Sequence, residues 1–403
     1  MKEIFDMKYQ FPKIEHIDEV LPLIKGKTEF IVADRGQYKV VNYNVVTPDT
    51  FPSMKTSGGS AKMREERLRE KAILRECRGL VFNADGTIMS RRLHKFFNAG
   101  ERDETQIDQI DLSQNHVILE KLDGSMITPL FFGDIVRWGT KMGITETAMN
   151  AEEFVAKNPR YISFAKHAHI AGLTPIFEWC SRKNRIVIDY PTDRLVLLAL
   201  RDTISGKYMA YNSMRIFAEV QNIDVIKMLD TPQINITDFI EYTKSVEGME
   251  GFVVRFDDGH MVKIKGDWYL SIHKVKDNLT LEKNVIELIV NSKVDDAKAF
   301  MLLEDKERVE AFEKAFWYGF SGTVRTIEEK LGVYKRQCKG DKKRFALEVA
   351  PTLDGVTRKV IFSCWDNGKT VTDELLNHIR SRVGTQTQVE SVRHLWGNQA
   401  WKY

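Results

Sequence analysis

The sequence is poor in cysteine, and none of its four cysteines is paired in a CxxC motif. A structural zinc site is therefore not predicted, and scattered cysteines in a chain of 403 residues are typical of a reducing compartment. The sequence also lacks any run of about 18 apolar residues, which argues against a membrane-spanning helix. The N-terminus mixes charged and aromatic residues and has no apolar signal core, so we predict a cytoplasmic protein.

A large net charge is also missing, because 60 lysines and arginines face 57 acidic residues and leave a formal charge of +3. Global charge therefore gives no evidence for nucleic-acid binding, and any basic surface must be local. The 43% of hydrophobic and 29% of charged residues are typical of a globular protein. A chain of this length exceeds one ordinary core and predicts two domains.

The chain is rich in strand patterns up to about residue 265 and helical in texture from about residue 279. This change predicts an α+β protein in which a domain of antiparallel sheets with flanking helices, residues 1–278, precedes an all-helical domain, residues 279–403. Helices are predicted at 62–71, 146–156 and 161–170. The predicted strands are 29–33, 38–43, 79–82, 87–91, 117–119, 126–131, 135–139, 175–179, 195–200, 251–256 and 261–265.

One lysine stands where a nucleophile would be held rigidly. Lys121 follows a short apolar run and precedes an Asp-Gly turn, which fixes its backbone and lets its side chain face a cleft. A lysine must be neutral to attack an electrophile, so nearby cations or burial would have to lower its pKa. Taken alone, the same pattern also fits a surface lysine beside a common hairpin turn.

A second motif places two lysines on one face of a strand. Lys263 and Lys265 are two residues apart in the second strand of a hairpin that turns at Asp257-Asp258-Gly259. Two like charges on one face repel each other unless an anion lies beside them, and a triphosphate is a suitable anion. The alternative is a solvated strand edge, where lysines prevent aggregation.

Four short motifs occur in the order Lys121-Leu122-Asp123-Gly124, Phe177-Glu178-Trp179, Glu250-Gly251 and Lys263-Ile264-Lys265. Together they resemble the motifs of the covalent nucleotidyltransferase superfamily of ligases and capping enzymes. Longer strings are similar to the tRNA-repair RNA ligases of T-even-like phages, the RNA ligase 1 type. These strings are Glu76-Cys77-Arg78-Gly79, Lys95-Phe96-Phe97-Asn98, Asn184-Arg185-Ile186-Val187 and Lys263-Ile264-Lys265-Gly266-Asp267-Trp268-Tyr269. The resemblance covers residues 38–350 and departs at 51–74, which looks like an insertion.

The resemblance implies a role for each matching residue. Lys121 would carry the adenylate, and Glu178, Glu250, Lys265 and Tyr269 would be the other catalytic residues. ATP would be the substrate and Mg²⁺ the metal. The implied ATP-binding residues are Tyr43, Arg78, Lys95, Lys141, Lys263 and Lys265. Asp295 and Asp296 match a metal-binding position, although an Asp-Asp pair at a helix start is also a common cap.

The implied reaction joins a 5′-phosphate to a 3′-hydroxyl in single-stranded RNA or a nicked tRNA anticodon loop, by a monomer in a phage-infected host cell. A cluster of cations in the helical part could contact phosphates, or could form a solvated loop; it comprises Lys335, Arg336, Lys339, Lys342, Lys343 and Arg344. Trp268, Tyr269, Trp317 and Tyr318 could stack on bases, or belong to the core.

Two other functions remain open from the sequence. A DNA ligase or capping enzyme would share the four motifs but usually has a small β-barrel after the last one, where this chain is helical. A non-catalytic RNA-binding protein is disfavoured by the intact set of Lys121, Glu178, Glu250, Lys263 and Lys265.

Overall fold

The structure is a computed structural model that describes residues 11–47, 49–230, 234–298, 300–366 and 369–403. Its internal contacts divide the chain into two compact units, with the division between Leu270 and Ser271. Three four-stranded sheets lie in the first unit, whereas the second unit is helical. The predicted α+β class with antiparallel sheets and a helical C-terminal part is therefore confirmed.

The first sheet has the order β1-β2-β3-β4, and all its neighbours are antiparallel. Its strands are β1 (Phe30–Asp34), β2 (Tyr38–Tyr43), β3 (Leu80–Asn83) and β4 (Ile88–Ser90). Gly36 and Gly86 have positive φ angles in the two hairpin turns, where a residue with a side chain would be strained. The core beneath this sheet includes Phe51 and Phe97, which come from outside its strands.

The other two sheets carry the four predicted motifs. The second sheet has the order β10-β9-β7-β8 and the third the order β5-β12-β11-β6. Their strands are β5 (Phe97–Asn98), β6 (His116–Glu120), β7 (Ser125–Phe132), β8 (Ile135–Gly139), β9 (Leu173–Cys180), β10 (Arg194–Asp202), β11 (Gly251–Phe256) and β12 (Met261–Lys265). Only the β12–β5 pairing is parallel. The chain passes from the third sheet to the second at Lys121, between β6 and β7.

Helices flank these sheets, and several begin at a residue that caps them. The hydroxyl of Ser60 accepts a hydrogen bond from the amide of Met63, and Thr145 caps the amide of Ala148 in the same way. The helices of this part are α1 (Leu21–Ile24), α2 (Ala61–Glu76), α3 (Glu146–Lys157), α4 (Arg160–Ile170), α5 (Tyr211–Glu219) and α6 (Ile236–Ser245). Helix α7 (Asp267–Leu279) follows β12 after one residue.

The second unit packs its helices around one apolar core that includes Phe316, Phe345 and Trp396. A Cβ on Gly319 would clash with the backbone of Trp396, so the long helix α10 can approach that segment only through glycine. The helices are α8 (Glu282–Val290), α9 (Val294–Lys298), α10 (Leu303–Gln337), α11 (Lys342–Arg344), α12 (Gly355–Cys364), α13 (Val371–Arg380) and α14 (Gln386–Val392). Among the described residues, no helix has the length and apolarity needed to cross a bilayer.

The predicted strands 38–43, 135–139, 251–256 and 261–265 have the observed bounds of β2, β8, β11 and β12, and the other predicted strands differ by one or two residues at an end. Up to Leu279, four helices and one strand of the described residues had not been predicted: α1, α5, α6, α7 and the two-residue β5. The charged segment 62–71 is helical, within α2.

A buried ion cluster joins the end of α2 to the first two sheets. Both oxygens of Glu76 are bound by arginines, with Arg201 Nη2 at 2.6 Å from Oε1 and Arg91 Nε at 3.1 Å from Oε2. All three side chains are inaccessible to solvent. The remaining donors reach backbone carbonyls, those of Pro12 and Ile204 from Arg91 and that of Gly206 from Arg201. The cluster therefore fixes Glu76, two residues before Arg78.

We expect Glu76→Gln to lower the free energy of unfolding by about 3–5 kcal/mol, because it leaves two buried guanidinium groups without their carboxylate. Equilibrium urea denaturation provides the measurement. Glu66→Gln, at an exposed position on the same helix, is the control and should change the free energy little. Equal unfolding curves for the two variants would show that the cluster does not stabilise the protein.

Candidate active site

The turn that carries Lys121 is held at both ends. The amide of Lys121 donates to the carbonyl of Gly251 at 2.8 Å and so extends the β6–β11 ladder by one residue. At the other end, Gly124 lies against the backbone of Trp179, and a Cβ at position 124 would clash with its carbonyl oxygen. The sequence had indicated a rigid turn, and the reason for the glycine is this close approach rather than a positive φ.

Asp123 organises the turn from inside. Its Oδ2 accepts hydrogen bonds from the amides of Val187 and Ile188 at 2.7 and 2.8 Å, and its Oδ1 accepts one from the hydroxyl of Tyr269 at 2.7 Å. The amide of Asp123 donates to the hydroxyl of Tyr190 at 2.9 Å. A buried carboxylate with three donors is well satisfied, so the segment around Val187 and the start of α7 are both tied to the nucleophile turn.

Tyr269 thus has a place different from the one expected of a residue that touches substrate. It is 2% exposed and is not among the described residues that line the central cavity. Burial raises the pKa of Tyr269, with further increases from Glu250 and Asp123, so its hydroxyl stays a neutral donor. The Lys265 ammonium lies 5.2 Å from the centre of its ring. Tyr269 therefore positions Asp123 and Lys265.

Glu250 lies between two lysines. Its Oε2 is 2.6 Å from Lys121 Nζ and its Oε1 is 2.9 Å from Lys265 Nζ, although 129 residues separate Lys121 from Glu250 in the chain. The carboxylate is buried, whereas both lysines are partly exposed. Gly251 has a φ of 138°, and a Cβ there would clash with the carbonyl of Ile264, so Glu250 must be followed by glycine.

Glu178, on β9, is the second carboxylate of the site and lines the cavity. Burial is the main cause that raises its pKa to about 7; the nearby Glu250 adds to this shift, while Lys121 and Arg78 oppose it. A carboxyl group with such a pKa can hold or release a proton near neutral pH.

The site also contains a group of neighbouring cations. Burial, together with the charges of Lys95, Arg78 and Lys121, lowers the pKa of Lys263 to about 7. Burial also lowers the pKa of Lys95. Since like charges this close disfavour one another, the arrangement is complete only when an anion lies among them.

Tyr43 lies within this cationic group. Burial raises its pKa, but Arg78, Lys95 and Lys141 more than offset this, so the net effect is a lowered pKa. The ammonium groups of Lys95 and Lys141 lie 5.4 and 5.3 Å from the centre of its ring. An aromatic ring thus orders two cations without neutralising their charge.

The cavity has a volume of about 640 Å³ and lies within the first unit. Six of the predicted site residues line it: Arg78, Lys121, Lys141, Glu178, Lys263 and Lys265. Tyr43, Lys95 and Glu250 stand behind these and contact or influence them. Its walls also include Phe96, Met126, Met142 and Ile226, which the sequence analysis had not assigned. A flat apolar surface beside a polyanion site suits a nucleobase.

Asp295 and Asp296, the predicted metal-binding residues, belong to the helical unit. Asp295 is 94% exposed, and its Oδ1 is 3.2 Å from Lys298 Nζ. The side chain of Asp296 lies outside the described residues. No group of three or more histidine, cysteine or acidic side chains in the described ranges could hold a metal ion. The assignment of a metal to Asp295 and Asp296 stays a prediction.

Comparison with known proteins agrees with this geometry. A family model described as RNA ligase matches residues 76–269. A putative RNA ligase of Thermovibrio ammonificans is 28% identical over 290 residues, which are 70% of each chain. RNA ligase 1 of bacteriophage TS2126 is 24% identical over 206 residues, covering 48% of this chain and half of that one.

Two solved structures are similar to parts of this chain. An archaeal ATP-dependent RNA ligase is 12% identical, with 64% of each chain covered and a TM-score of 0.42. A Naegleria gruberi RNA ligase mutant with AMP and Mn is 19% identical, with 40% of this chain and 52% of that chain covered and a TM-score of 0.34. By the family model and the related sequences, this chain is similar to RNA ligases of the phage type.

Proposed function

We propose that this enzyme joins RNA ends with ATP through a covalent lysyl-adenylate on Lys121. The observation that carries the proposal is the place of Lys121 Nζ, on Glu250 and at the edge of a cavity lined by Arg78, Lys263 and Lys265. A nucleophile beside a surplus of positive charge is suited to attack on a phosphate ester, because charge on the phosphate oxygens grows during the transfer.

In the first step, Lys121 Nζ attacks the α-phosphorus of ATP, the N–P bond forms, and the bond to the bridging oxygen of pyrophosphate breaks. The attacking amine must first give up a proton, and Glu250 Oε2, at 2.6 Å, is the nearest acceptor for it. Lys265 lies on the other oxygen of the same carboxylate, so movement of Lys265 toward the leaving phosphate would free Glu250 to accept that proton.

The pyrophosphate carries away negative charge that Arg78, Lys95 and Lys263 are placed to offset. Mg²⁺ prefers oxygen ligands and needs only one or two carboxylates in addition to phosphate and water. Glu178 fits such an ion, since it lines the cavity and a cation would favour its ionised form. The ion would supply further charge neutralisation on the phosphates.

Two transfers complete the reaction. The adenylate passes from Lys121 to a 5′-phosphate, which restores the free amine, and a 3′-hydroxyl then attacks that phosphate and displaces AMP. Single-stranded RNA is the proposed substrate, with a broken tRNA anticodon loop as the natural form of it. The helical unit has exposed cations for such a strand, although Lys342 and Arg344 are paired with Asp366 and Glu348. Tyr318 is 85% exposed and open to stacking, whereas Trp317 packs against Phe316 and Phe320.

We expect a covalent AMP adduct after incubation with α-labelled ATP and Mg²⁺, and its complete loss in Lys121→Ala. Denaturing electrophoresis measures the retained label. Lys166→Ala, an exposed position on α4, is the matched control and should label as the wild type does. If the wild type takes up no label after treatment with pyrophosphate to strip any AMP already bound, the proposed function is refuted.

The lowered pKa of Lys263 predicts that ATP binding takes up a proton. Without ligand its amine is mostly neutral at about pH 8, because its pKa of about 7 lies below the ordinary 10.5. Phosphates favour the ammonium form, so binding should take up about one proton at pH 8 and much less below about pH 6. Calorimetry with α,β-methylene-ATP in buffers of different ionisation enthalpy gives the proton count.

The test variant for this titration is Lys263→Met, which should reduce the proton uptake at pH 8. The control variant is Lys166→Met, which should not. Equal uptake by Lys263→Met and the wild type would assign the proton to another group.

Substrate choice separates this proposal from a DNA ligase. We expect faster sealing of single-stranded RNA with 5′-phosphate and 3′-hydroxyl ends than of a nicked DNA duplex at equal concentration. A strand containing a broken anticodon stem-loop should be sealed at least as fast as an unstructured one. Gel electrophoresis measures the sealing of each substrate. Faster sealing of the nicked DNA would favour the DNA-ligase alternative.

A further inference from the structure

Phe51 is the one residue of the 51–74 insertion whose ring reaches the cationic side of the site within the described part of the chain. Its side chain has no exposed area. Its ring makes edge contacts with the rings of Tyr43, Phe30 and Phe97, at centroid distances of 5.3, 5.9 and 6.1 Å. Edge-to-face contacts of this kind fix the orientation of a ring as well as its place.

Lys95 lies over three of these rings. Its Nζ is 5.2 Å from the centre of Phe97, 5.4 Å from Tyr43 and 5.6 Å from Phe51. None of the ion pairs in the described ranges includes Lys95. Ring faces attract an ammonium group without using up its N–H donors as a carboxylate would. Lys95 is therefore ordered and still able to donate to phosphate oxygens.

Helix α2 fixes both Phe51 and Lys95. The carbonyl of Arg75, in its last turn, accepts a hydrogen bond from the amide of Lys95 at 2.7 Å. The basic face of α2, defined by Arg64, Arg67, Lys71 and Arg75, has the spacing i, i+3, i+7 and i+11, which places four cations on one side of a helix.

These four side chains all donate to main-chain carbonyls of the loop 52–59. Lys71 Nζ lies 2.7 and 2.6 Å from the carbonyl oxygens of Ser53 and Lys55. Arg64 donates to Gly59 at 2.6 Å, Arg67 to Ser57 and Gly58, and Arg75 to Pro52 at 3.4 Å. The loop that begins next to Phe51 is thus fastened along the length of the helix.

The charges of this basic face also act on one another. Burial lowers the pKa of Lys71, and the neighbouring Arg67 and Arg75 lower it further. A row of like charges on a helix face is unfavourable unless acceptors face it. Six carbonyl groups of the loop serve as those acceptors, so loop and helix stabilise each other.

We propose that the segment 49–76 supports the phosphate site from behind the residues that line it, and that its Phe51 is a positioning residue that holds the ammonium of Lys95 toward the triphosphate. This inference rests on the proposed function and deepens it. The segment then affects the step that uses ATP, since Lys95 is one of the cations that offset the negative charge of the leaving pyrophosphate. It should not affect the sealing of RNA that already carries an adenylate, in which no triphosphate takes part.

The test compares Phe51→Leu with Phe30→Leu in the full chain. Both substitutions remove a buried ring from the same core, but only Phe51 lies over Lys95. We expect Phe51→Leu to raise the KM for ATP in adenylation about five-fold, from the loss of one cation–π contact. Sealing of pre-adenylated RNA should stay within about two-fold of the wild type. Phe51→Tyr, which keeps the ring, should restore the KM.

A second pair of variants reaches the same site from a distance. Lys71→Met removes the donor to two loop carbonyls and should raise the KM for ATP in the same direction, whereas Lys62→Met, at an exposed position on the same helix, should not. This pair keeps the inference testable if Phe51→Leu does not fold, as judged by circular dichroism.

The inference is overturned if Phe51→Leu and Phe30→Leu have the same KM for ATP, or if both variants lose adenylation and sealing equally. It is also overturned if Lys71→Met behaves as Lys62→Met does. Absence of an adenylate in the wild type would instead refute the proposed function, because no KM for ATP could then be measured.

Discussion

The arrangement of the active site depends on one buried carboxylate that is shared by two lysines. Glu250 fixes Lys121 through one oxygen and Lys265 through the other, so the two ammonium groups are held at a set separation. A buried carboxylate is costly without cationic partners, and two ammonium groups side by side are costly without an anion. Each of the three charges is therefore stable only because the other two are present.

The backbone around this group shows why a glycine follows both Asp123 and Glu250. Gly251 continues β11 where a side chain would meet β12, and Gly124 lets the nucleophile turn lie against β9. Both glycines permit close approach of two strands. The charges thus lie at the ends of strands, whose rigidity keeps them in place, and Asp123 adds the segment at Val187 and the start of α7 to the same frame.

Local pattern was enough to predict most of the sheets, since alternation and turn residues belong to a single strand pair. It missed α6, because its sequence is rich in isoleucine and threonine, which favour strands when tertiary contacts are unknown. It missed β5, because two residues have no periodicity. The sequence also indicated that Lys263 and Lys265 share a face, and both line the cavity.

What the sequence could not indicate depends on contacts between distant residues. The ion pair between Lys121 and Glu250 joins positions that are 129 residues apart. Phe51, which contacts Lys95, comes from a segment without a recognised motif. Tyr269 was predicted to be catalytic from its position in a motif, whereas its hydrogen bond to Asp123 is seen only in the structure. Roles of the individual side chains in catalysis stay predictions.

The contact between α2 and the loop 52–59 is made by side chains on one partner and by main chain on the other. Every residue type has the same main-chain carbonyl oxygen, whatever its side chain. The loop is therefore constrained in path and length but hardly in composition. The helix is constrained in the opposite way. Relatives that possess this insertion should therefore vary freely in the loop and keep a cation every three or four positions in the helix, a pattern that an alignment of loop residues would miss.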